Sequence, residues 1–225
     1  MRDPCPAETL DPVTPRDDVL VYSCIVGGYD AQPDPAACRF IMERRSGEHP
    51  RLTAKRPKML RMALPIGDWR YAIWIDGNIR IRTSWFWDQA VEATGDKPLG
   101  VFAHPRRDDI VAEAHASHIE APEKYADLPL VEQAMHYRDV GVPSPSGLYC
   151  GGVVCWNLAH RDTRQIGARW YTECEEWTYQ DQLSLPYVLW KMGVEPAVFP
   201  FPILEPGLPY IGNRWVQLLS HIRDD

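Results

Sequence analysis

The stretch Asp76-Gly77-Asn78 holds the residue types best suited to chemistry in this sequence. It follows an apolar run, 71–75, of the kind that forms a buried strand. A carboxylate and an amide at the end of such a strand would face the crevice where ligands bind in open α/β sheets. The same residues are also common in hairpin turns, with 79–82 as the returning strand. The residues alone therefore leave a ligand site and an ordinary turn equally open.

Further apolar runs predict the strands that would accompany this stretch. Residues 19–26 form a continuous run typical of a buried first strand. Gly27 and Gly28 follow it and would let the loop approach a ligand closely. Shorter runs at 39–43, 97–103 and 195–199 predict additional strands. No G-x-G-x-x-G or Walker pattern follows the first strand, which disfavours a dinucleotide-binding or P-loop fold.

Most of the remaining segments have the features of helices. We expect helices over 51–64, 84–93, 110–119, 130–140, 161–176, 178–190 and 215–222. In the first of these, Lys58 and Arg61 would share a face through their i, i+3 spacing. That face suits an anionic ligand such as a diphosphate, and it is also typical of a solvated basic surface. Asp181, at the start of a helix, could likewise serve as a cap or in chemistry.

Two other patterns could mark a site. Gly151 and Gly152 precede a Val-Val-Cys-Trp strand, which predicts a bulge or a point where a ligand or another backbone passes close. His115 and His118 lie one helical turn apart and could bind a metal with a nearby glutamate. Such spacing on a polar helix is more typical of a face exposed to solvent.

Composition limits the class of protein. The chain has 225 residues, a net charge of −7 and a pI of about 5.5, which argues against an electrostatic nucleic-acid interface and predicts no nucleic-acid partner. No apolar run approaches the ~20 residues of a transmembrane helix, and the N-terminus does not resemble a signal peptide, so we expect a cytoplasmic protein. Six cysteines without a C-x-x-C pair predict buried free thiols. Residues 1–18 are predicted to be a flexible lead-in and 19–225 a single domain.

Five stretches together carry a family resemblance. They are YSCIVGGYD (22–30), YAIWIDGNIR (71–80), FAHPRRD (102–108), GLYCGGVV (147–154) and DQLSLPYVLWK (181–191). In this order they resemble the glycosyltransferase-like family catalogued as domain of unknown function 616, whose better-known members are plant proteins linked to mucilage and cell-wall polysaccharide. The chain is similar, more distantly, to glycosyltransferase family 8.

The resemblance implies an α/β, GT-A-like (Rossmann-like) domain with a central mixed sheet flanked by helices. It implies transfer of a sugar from a nucleotide-diphosphate donor to a hydroxyl of a glycan or small-molecule acceptor. In such enzymes an Asp-x-Asp motif holds a divalent metal, Mn²⁺ or Mg²⁺, and here Asp76 and Asn78 take that position. Asn78 departs from the motif, because an amide oxygen is a weaker ligand for a hard cation than a carboxylate. Without metal, Lys58, Arg61 or Arg106 could supply the counter-charge.

The resemblance also implies the residues of the site. Asp181 is the expected base for an inverting transfer and Asp108 the second candidate, whereas the leaving phosphate could assist a retaining one. The residues expected to contact the nucleotide sugar are Tyr22, Gly27, Gly28, Tyr29, Asp30, Lys58, Arg61, Asp76, Gly77, Asn78, His104, Arg106, Gly151, Gly152 and Gln182.

Two other functions remain open on the sequence. A non-catalytic module that binds nucleotide sugars or glycans is favoured if Asn78 has abolished metal-assisted transfer. A metal-dependent hydrolase built on His104, Asp108 and His115 is the third possibility, although these residues are poorly spaced as a ligand set. Nucleotide binding separates the transferase and the nucleotide-sugar-binding module from the hydrolase, and turnover separates the first two from each other.

Overall fold

The computed structural model describes residues 15–26, 34, 36–40, 47–65, 67–204 and 215–219. Most of the predicted lead-in and the loop containing Gly27, Gly28, Tyr29 and Asp30 lie outside these residues. Within the described ranges, no helix combines the length and the apolar character needed to cross a bilayer.

The centre of the described structure is a six-stranded mixed sheet with the order β2-β1-β3-β6-β5-β7. Its strands are β1 (Val19–Cys24), β2 (Cys38–Phe40), β3 (Tyr71–Ile75), β5 (Leu99–Ala103), β6 (Tyr149–Asn157) and β7 (Ala197–Val198). Strand β1 runs parallel to β2 and β3, whereas β6 is antiparallel to both β3 and β5. Strands β4 (Ile79–Ile81) and β8 (Val216–Leu218) form a separate two-stranded sheet.

The helices are α1 (Pro50–Lys58), α2 (Trp85–Thr94), α3 (Ile110–Glu120), α4 (Pro122–Tyr125), α5 (Leu130–Asp139), α6 (Thr163–Glu176) and α7 (Asp181–Met192). The mixed sheet flanked by helices confirms the predicted α/β architecture with a central mixed sheet. Six of the predicted helices are confirmed as elements, and α4 is the helix that the sequence did not predict.

Strand alternation explains why helices pack on both faces of the sheet. Successive side chains of a strand point to opposite faces. In β3, Trp74 packs into the cluster formed with α3, α5, α6 and α7, whereas Ile73 and Ile75 pack into the cluster formed with α2. Val154 and Val153 of β6 divide in the same way. The strands are therefore apolar on both faces because both faces are covered.

The predicted C-terminal helix over 215–222 is wrong. Residues 216–218 form β8, which pairs antiparallel with β4 so that Ile79 lies opposite Leu218 and Ile81 opposite Val216. Pairing with a distant segment and burial of Val216 override the weak helical pattern of this short segment. The same pairing excludes a hairpin between β3 and β4, because β3 pairs with β6 and β4 with β8. Asp76-Gly77-Asn78 is a turn that directly follows the end of the central strand β3.

The predicted first helix is shorter than expected. Helix α1 ends at Lys58, and Leu60 has a left-handed backbone with φ of 55°. A left-handed residue terminates a right-handed helix. Arg61 therefore lies beyond the helix and does not share a face with Lys58, which corrects the expected pairing of these two side chains.

Two smaller predictions are confirmed. The register between β5 and β6 shifts after Val101, which pairs with Val154, while the next residue pairs with Cys150. The extra residues of β6 include Gly151 and Gly152, so this is the predicted bulge. The buried cysteines Cys155 and Cys174 are free thiols, as expected, and Cys24 is buried as well. The half-buried Cys150 is also a free thiol.

Helix α6 packs tightly on the end of α1, which leads to a stability prediction. A Cβ added to Gly167 would collide with the backbone carbonyl oxygen of Met59. We expect Gly167→Ala to lower the free energy of unfolding by about 1–3 kcal/mol, the usual cost of overpacking. Urea denaturation measures this, with the exposed Gln165→Ala on the same helix as the control, expected within about 0.5 kcal/mol of wild type. Equal stability of the two variants would contradict the prediction.

Candidate functional site

A cleft of about 370 Å³ opens where the C-terminal ends of β1 and β3 meet α1 and the start of α7. Its volume is within the roughly 300–1,000 Å³ of small-molecule sites. The lining includes the end of β3 with Asp76, Gly77 and Asn78, the bulged part of β6, and one face of α1. This is the edge of the sheet at which the sequence predicted a ligand site.

The floor of the cleft is an ion-paired trio. The Asp181 Oδ2 atom lies 2.6 Å from Lys55 Nζ and 2.7 Å from Lys58 Nζ. Lys58 Nζ also lies 3.6 Å from Asp76 Oδ1. Lys58 and Asp181 are 3% and 5% exposed, so these charges interact at low effective dielectric. With Asp76 included, two carboxylates face the two ammonium groups at this point.

The ionisation of the trio is stabilised by its own members. Burial acts to lower the pKa of Lys58, but the carboxylates of Asp181 and Asp76 outweigh it and raise the pKa above its ordinary value. Burial acts to raise the pKa of Asp181, but the two lysines outweigh it and hold the pKa well below its ordinary value. Lys58 and Asp181 are therefore both charged across the physiological pH range.

The trio is anchored to the sheet through the end of α1. The backbone carbonyl of Lys58 accepts a hydrogen bond from Trp156 Nε1 at 2.9 Å and from the Tyr22 hydroxyl at 3.4 Å. Helix ends leave carbonyl groups without intrahelical partners, and here side chains of β1 and β6 supply them. Trp170 of α6 similarly donates to the Asp181 carbonyl at 2.9 Å. These contacts position α1 and α7 so that their charged side chains meet.

Asp76 is the accessible carboxylate of the cleft. Its side chain is 40% exposed, and its Oδ1 accepts a hydrogen bond from Trp74 Nε1 at 2.6 Å. Its backbone N–H donates to the Gly152 carbonyl at 2.8 Å, which extends the β3–β6 pairing by one residue. The carboxylate is thus oriented by its own strand.

The glycine pair keeps space open above the charges. A Cβ on Gly151 would lie 3.0 Å from Lys58 Nζ and 3.5 Å from Asp181 Oδ2. A Cβ on Gly152 would lie 2.7 Å from Ile79 Cδ1 and 3.6 Å from Asp76 Oδ2. A side chain at either position would occupy the volume in front of the charged groups, so the glycines permit a ligand to approach them closely.

The charged residues that line the cleft are predominantly basic. Among the described residues that line it, four are basic and two are acidic, which sums to +2 in a chain whose net charge is −7. The basic residues are Arg51, Lys55, Lys58 and Lys124, and the acidic ones are Asp76 and Asp181. A cationic cleft on an acidic protein is complementary to an anionic ligand.

The structure brings together about half of the residues predicted for the site. Those that line the cleft are Lys58, Asp76, Gly77, Asn78, Gly151, Gly152, Asp181 and Gln182. Asp181 was also considered as a helix cap, but α7 has no side-chain cap in the structure, and the carboxylate contacts the two lysines instead.

Several predicted residues do not line the cleft. Tyr22 is fully buried beneath Lys58, so its ring is not presented to a base. Arg61 lines a second cavity, of about 210 Å³, between α6 and α7. His104 accepts a hydrogen bond at Nδ1 from the Arg107 backbone N–H at 3.0 Å, and Arg106 pairs with Glu120 at 2.8 Å.

The residues of the proposed hydrolase do not assemble into a metal site. Asp108 and His115 are exposed, and neither lines the cleft. His118 Nε2 lies 2.9 Å from the carbonyl oxygen of Leu128. In the described part of the chain, no three His, Cys, Asp or Glu side chains come close enough to hold a metal ion.

The oxygen donors at Asp76 and Asn78 fit a hard divalent cation poorly. Mg²⁺ and Mn²⁺ prefer several oxygen ligands, with carboxylates among them. Asp76 Oδ1 already accepts from Trp74 and faces the ammonium of Lys58, while Asn78 Nδ2 donates to the Leu219 carbonyl at 3.5 Å. The second carboxylate nearby, Asp181, is paired with the lysines. We therefore derive no chemical step through a metal at these residues.

Sequence reasoning missed several residues that line the cleft. The sequence could have indicated Lys55, because it lies one helical turn before Lys58. The predicted helix over 51–64 instead paired Lys58 with Arg61, which follows it. The tyrosines Tyr125 and Tyr179 lie at one wall, with ring centroids 6.1 Å apart, and Tyr179 stacks on His49 at 4.3 Å. No local pattern links these aromatic residues to the cleft, since they come from distant segments.

Comparison with known proteins supplies independent information. A family model described as TOD1/MUCI70, glycosyltransferase-like domain, matches residues 38–203. That span includes four of the five stretches that carry the sequence resemblance. No curated protein sequence matches the chain.

Among solved structures, mouse xyloside xylosyltransferase 1 in its apo form is similar, with 14% sequence identity and a TM-score of 0.32. The alignment covers 68% of this chain and 51% of that enzyme, so this chain spans about half of its length.

Proposed function

This chain belongs to the TOD1/MUCI70 glycosyltransferase-like family, and on that basis we propose that it transfers a sugar from a nucleotide-diphosphate donor to an acceptor hydroxyl. The acceptor would be a glycan or a small molecule. The observation that supports this most strongly is the cationic cleft at the carboxyl ends of β1 and β3.

The charge of the cleft matches the donor's diphosphate. In the proposed reaction, the acceptor oxygen bonds to the anomeric carbon while the bond from that carbon to the diphosphate oxygen breaks. Negative charge develops on the leaving diphosphate, and preorganised cations stabilise such charge without reorganising. Lys55 and Lys58 are ammonium groups held by Asp181 at this position.

The geometry supports a different role for Asp181 than that of a base. A carboxylate whose pKa is held low accepts a proton weakly. We propose that Asp181 orients the two lysines, and that the acceptor's proton passes to Asp76 in an inverting transfer or to the leaving phosphate in a retaining one. Asp108 has no part in this scheme, because it does not line the cleft.

A second candidate function is binding of a nucleotide sugar without transfer. The observation that favours it is the pairing of Asp181 with Lys55 and Lys58, because the expected catalytic base is then occupied by two ion pairs. The two candidates differ in turnover and agree on binding.

Calorimetric titration of the purified chain with UDP and GDP tests the proposal. We expect one of these diphosphates to bind at least about tenfold more tightly than the matching nucleoside, uridine or guanosine, because the diphosphate meets the lysines. Release of that nucleotide from its sugar donors, with and without added glycans, then separates transfer from binding alone. If neither diphosphate binds better than its nucleoside, the proposed function is wrong.

A further inference from the structure

We propose that Lys55 and Lys58 provide the counter-charge for the donor's diphosphate, so that donor binding needs no divalent cation. This inference rests on the proposed function and specifies how its site recognises the donor. The resemblance left two alternatives, a metal held at Asp76 and Asn78 or counter-charge from basic side chains, and the inference selects the second.

The described charges of the cleft favour an anionic ligand. The carboxylates of Asp181 and Asp76 offset the ammonium groups of Lys55 and Lys58, so the excess positive charge of the cleft comes from its other described basic residues. Arg51 and Lys124 line the same cleft and add to the positive field. A cleft that binds a divalent cation would be expected to have more carboxylates than basic side chains, because carboxylates bind such ions.

The Lys58 side chain is held in place before any ligand binds. Its ammonium lies 5.9 Å from the ring centroids of both Trp74 and Trp170, and its carbonyl is held by Trp156 and Tyr22. A lysine confined in this way has already lost the side-chain freedom that a flexible surface lysine would lose on binding an anion.

Gly151 leaves room for a ligand in front of the Lys58 ammonium. Gly151 is the residue in front of the Lys58 ammonium, and a single Cβ there would come within 3.0 Å of it. Because Gly151 itself adds no side chain to this volume, oxygen atoms of a diphosphate can reach hydrogen-bond distance from the ammonium. The bulge of β6 and the trio of charges thus belong to one subsite.

At Asp76, a divalent cation would compete with the Lys58 ammonium and with the Trp74 N–H. The Lys58 ammonium is 3.6 Å from Asp76 Oδ1, so a divalent cation on this carboxylate would lie next to an existing positive charge. Trp74 donates to the same oxygen. The residue that should anchor the metal is therefore already serving as a counter-ion and a hydrogen-bond acceptor.

The test repeats the titration with the diphosphate that binds, UDP or GDP, in EDTA and in Mn²⁺. We expect affinities in the two buffers to agree within about twofold, and Lys58→Met and Lys55→Met each to weaken binding at least about tenfold. Lys55→Met guards against loss of folding, since the Lys55 side chain is 13% exposed and less buried than Lys58. Circular dichroism checks the fold of each variant.

The matched control is Lys97→Met, which removes the same charge from an exposed lysine paired with Glu195 outside the cleft. It should bind the nucleotide like wild type. Binding that appears only with Mn²⁺, survives Lys55→Met and is lost in Asp76→Asn would overturn the inference and leave the proposed function intact. No diphosphate binding in either buffer would overturn both.

Discussion

Replacing Asp181 with asparagine should destabilise the protein by about 3–5 kcal/mol, the cost of removing one partner from a buried ion pair. The change keeps the size of the side chain and leaves the ammonium groups of Lys55 and Lys58 without their shared carboxylate. The side chains of Lys58 and Asp181 are only 4% and 8% exposed, so water does not replace the lost partner. Urea denaturation at neutral pH measures the difference.

The pH dependence of this effect follows from the two pKa shifts. Burial opposes both shifts, and the ion pairs outweigh it, so the folded-state pKa of Asp181 lies below its ordinary 3.8 and that of Lys58 above its ordinary 10.5. The stabilisation that Asp181 provides is therefore complete at pH values above its ordinary pKa, and it is lost as the pH falls through its folded-state pKa. The stabilisation that Lys58 provides is complete at pH values below its ordinary pKa, and it is lost only as the pH rises through its folded-state pKa. We expect the gap between wild type and Asp181→Asn to stay constant between about pH 5 and 9.

The control for this prediction is Asp108→Asn. It makes the same chemical change at an exposed aspartate and should alter stability by less than about 0.5 kcal/mol. If Asp181→Asn were as stable as Asp108→Asn, the trio would contribute nothing to the folded state, and the account of Asp181 as the organiser of the lysines would fail.

Filling the space above the trio should abolish donor binding. We expect Gly151→Val to weaken the affinity for the diphosphate by roughly 100-fold or more, because its Cβ alone would lie 3.0 Å from Lys58 Nζ and its methyl groups would extend into the cleft. Valine is favoured in strands, so the variant should retain the sheet. Gly151→Ala should give an intermediate loss, and calorimetric titration measures both.

A matched control uses Ala103→Val on the neighbouring strand β5. Ala103 is exposed and does not line the cleft, so a β-branched side chain there should leave the affinity unchanged. Wild-type affinity in a folded Gly151→Val protein would show that the ligand does not pass in front of Lys58.

Much of the architecture was predictable because it depends on local patterns. The run 71–75 is apolar at every position, and a strand buried on both faces requires that, so its end at Asp76 could be read directly. The bulge at Gly151 and Gly152 was predictable for a similar reason, since two adjacent glycines before a strand weaken regular pairing.

The composition of the site depended on contacts between distant segments. The sequence indicated Lys58 but paired it with Arg61, because no local signal marks the left-handed residue Leu60 at which the chain leaves the helix. The end of α1 is held by side chains of Tyr22 and Trp156, which are far away in the sequence.

By itself, the sequence determined an α/β domain with a strand that delivers Asp76 and a glycine bulge beside it, because strand burial and glycine conformation are local properties. Only the tertiary structure decided that Asp181 pairs with Lys55 and Lys58, since that contact joins the start of α7 to the face of α1. The low dielectric of the interior then makes the pairing strong enough to convert an apparent helix cap or base into the counter-ion of a cationic site.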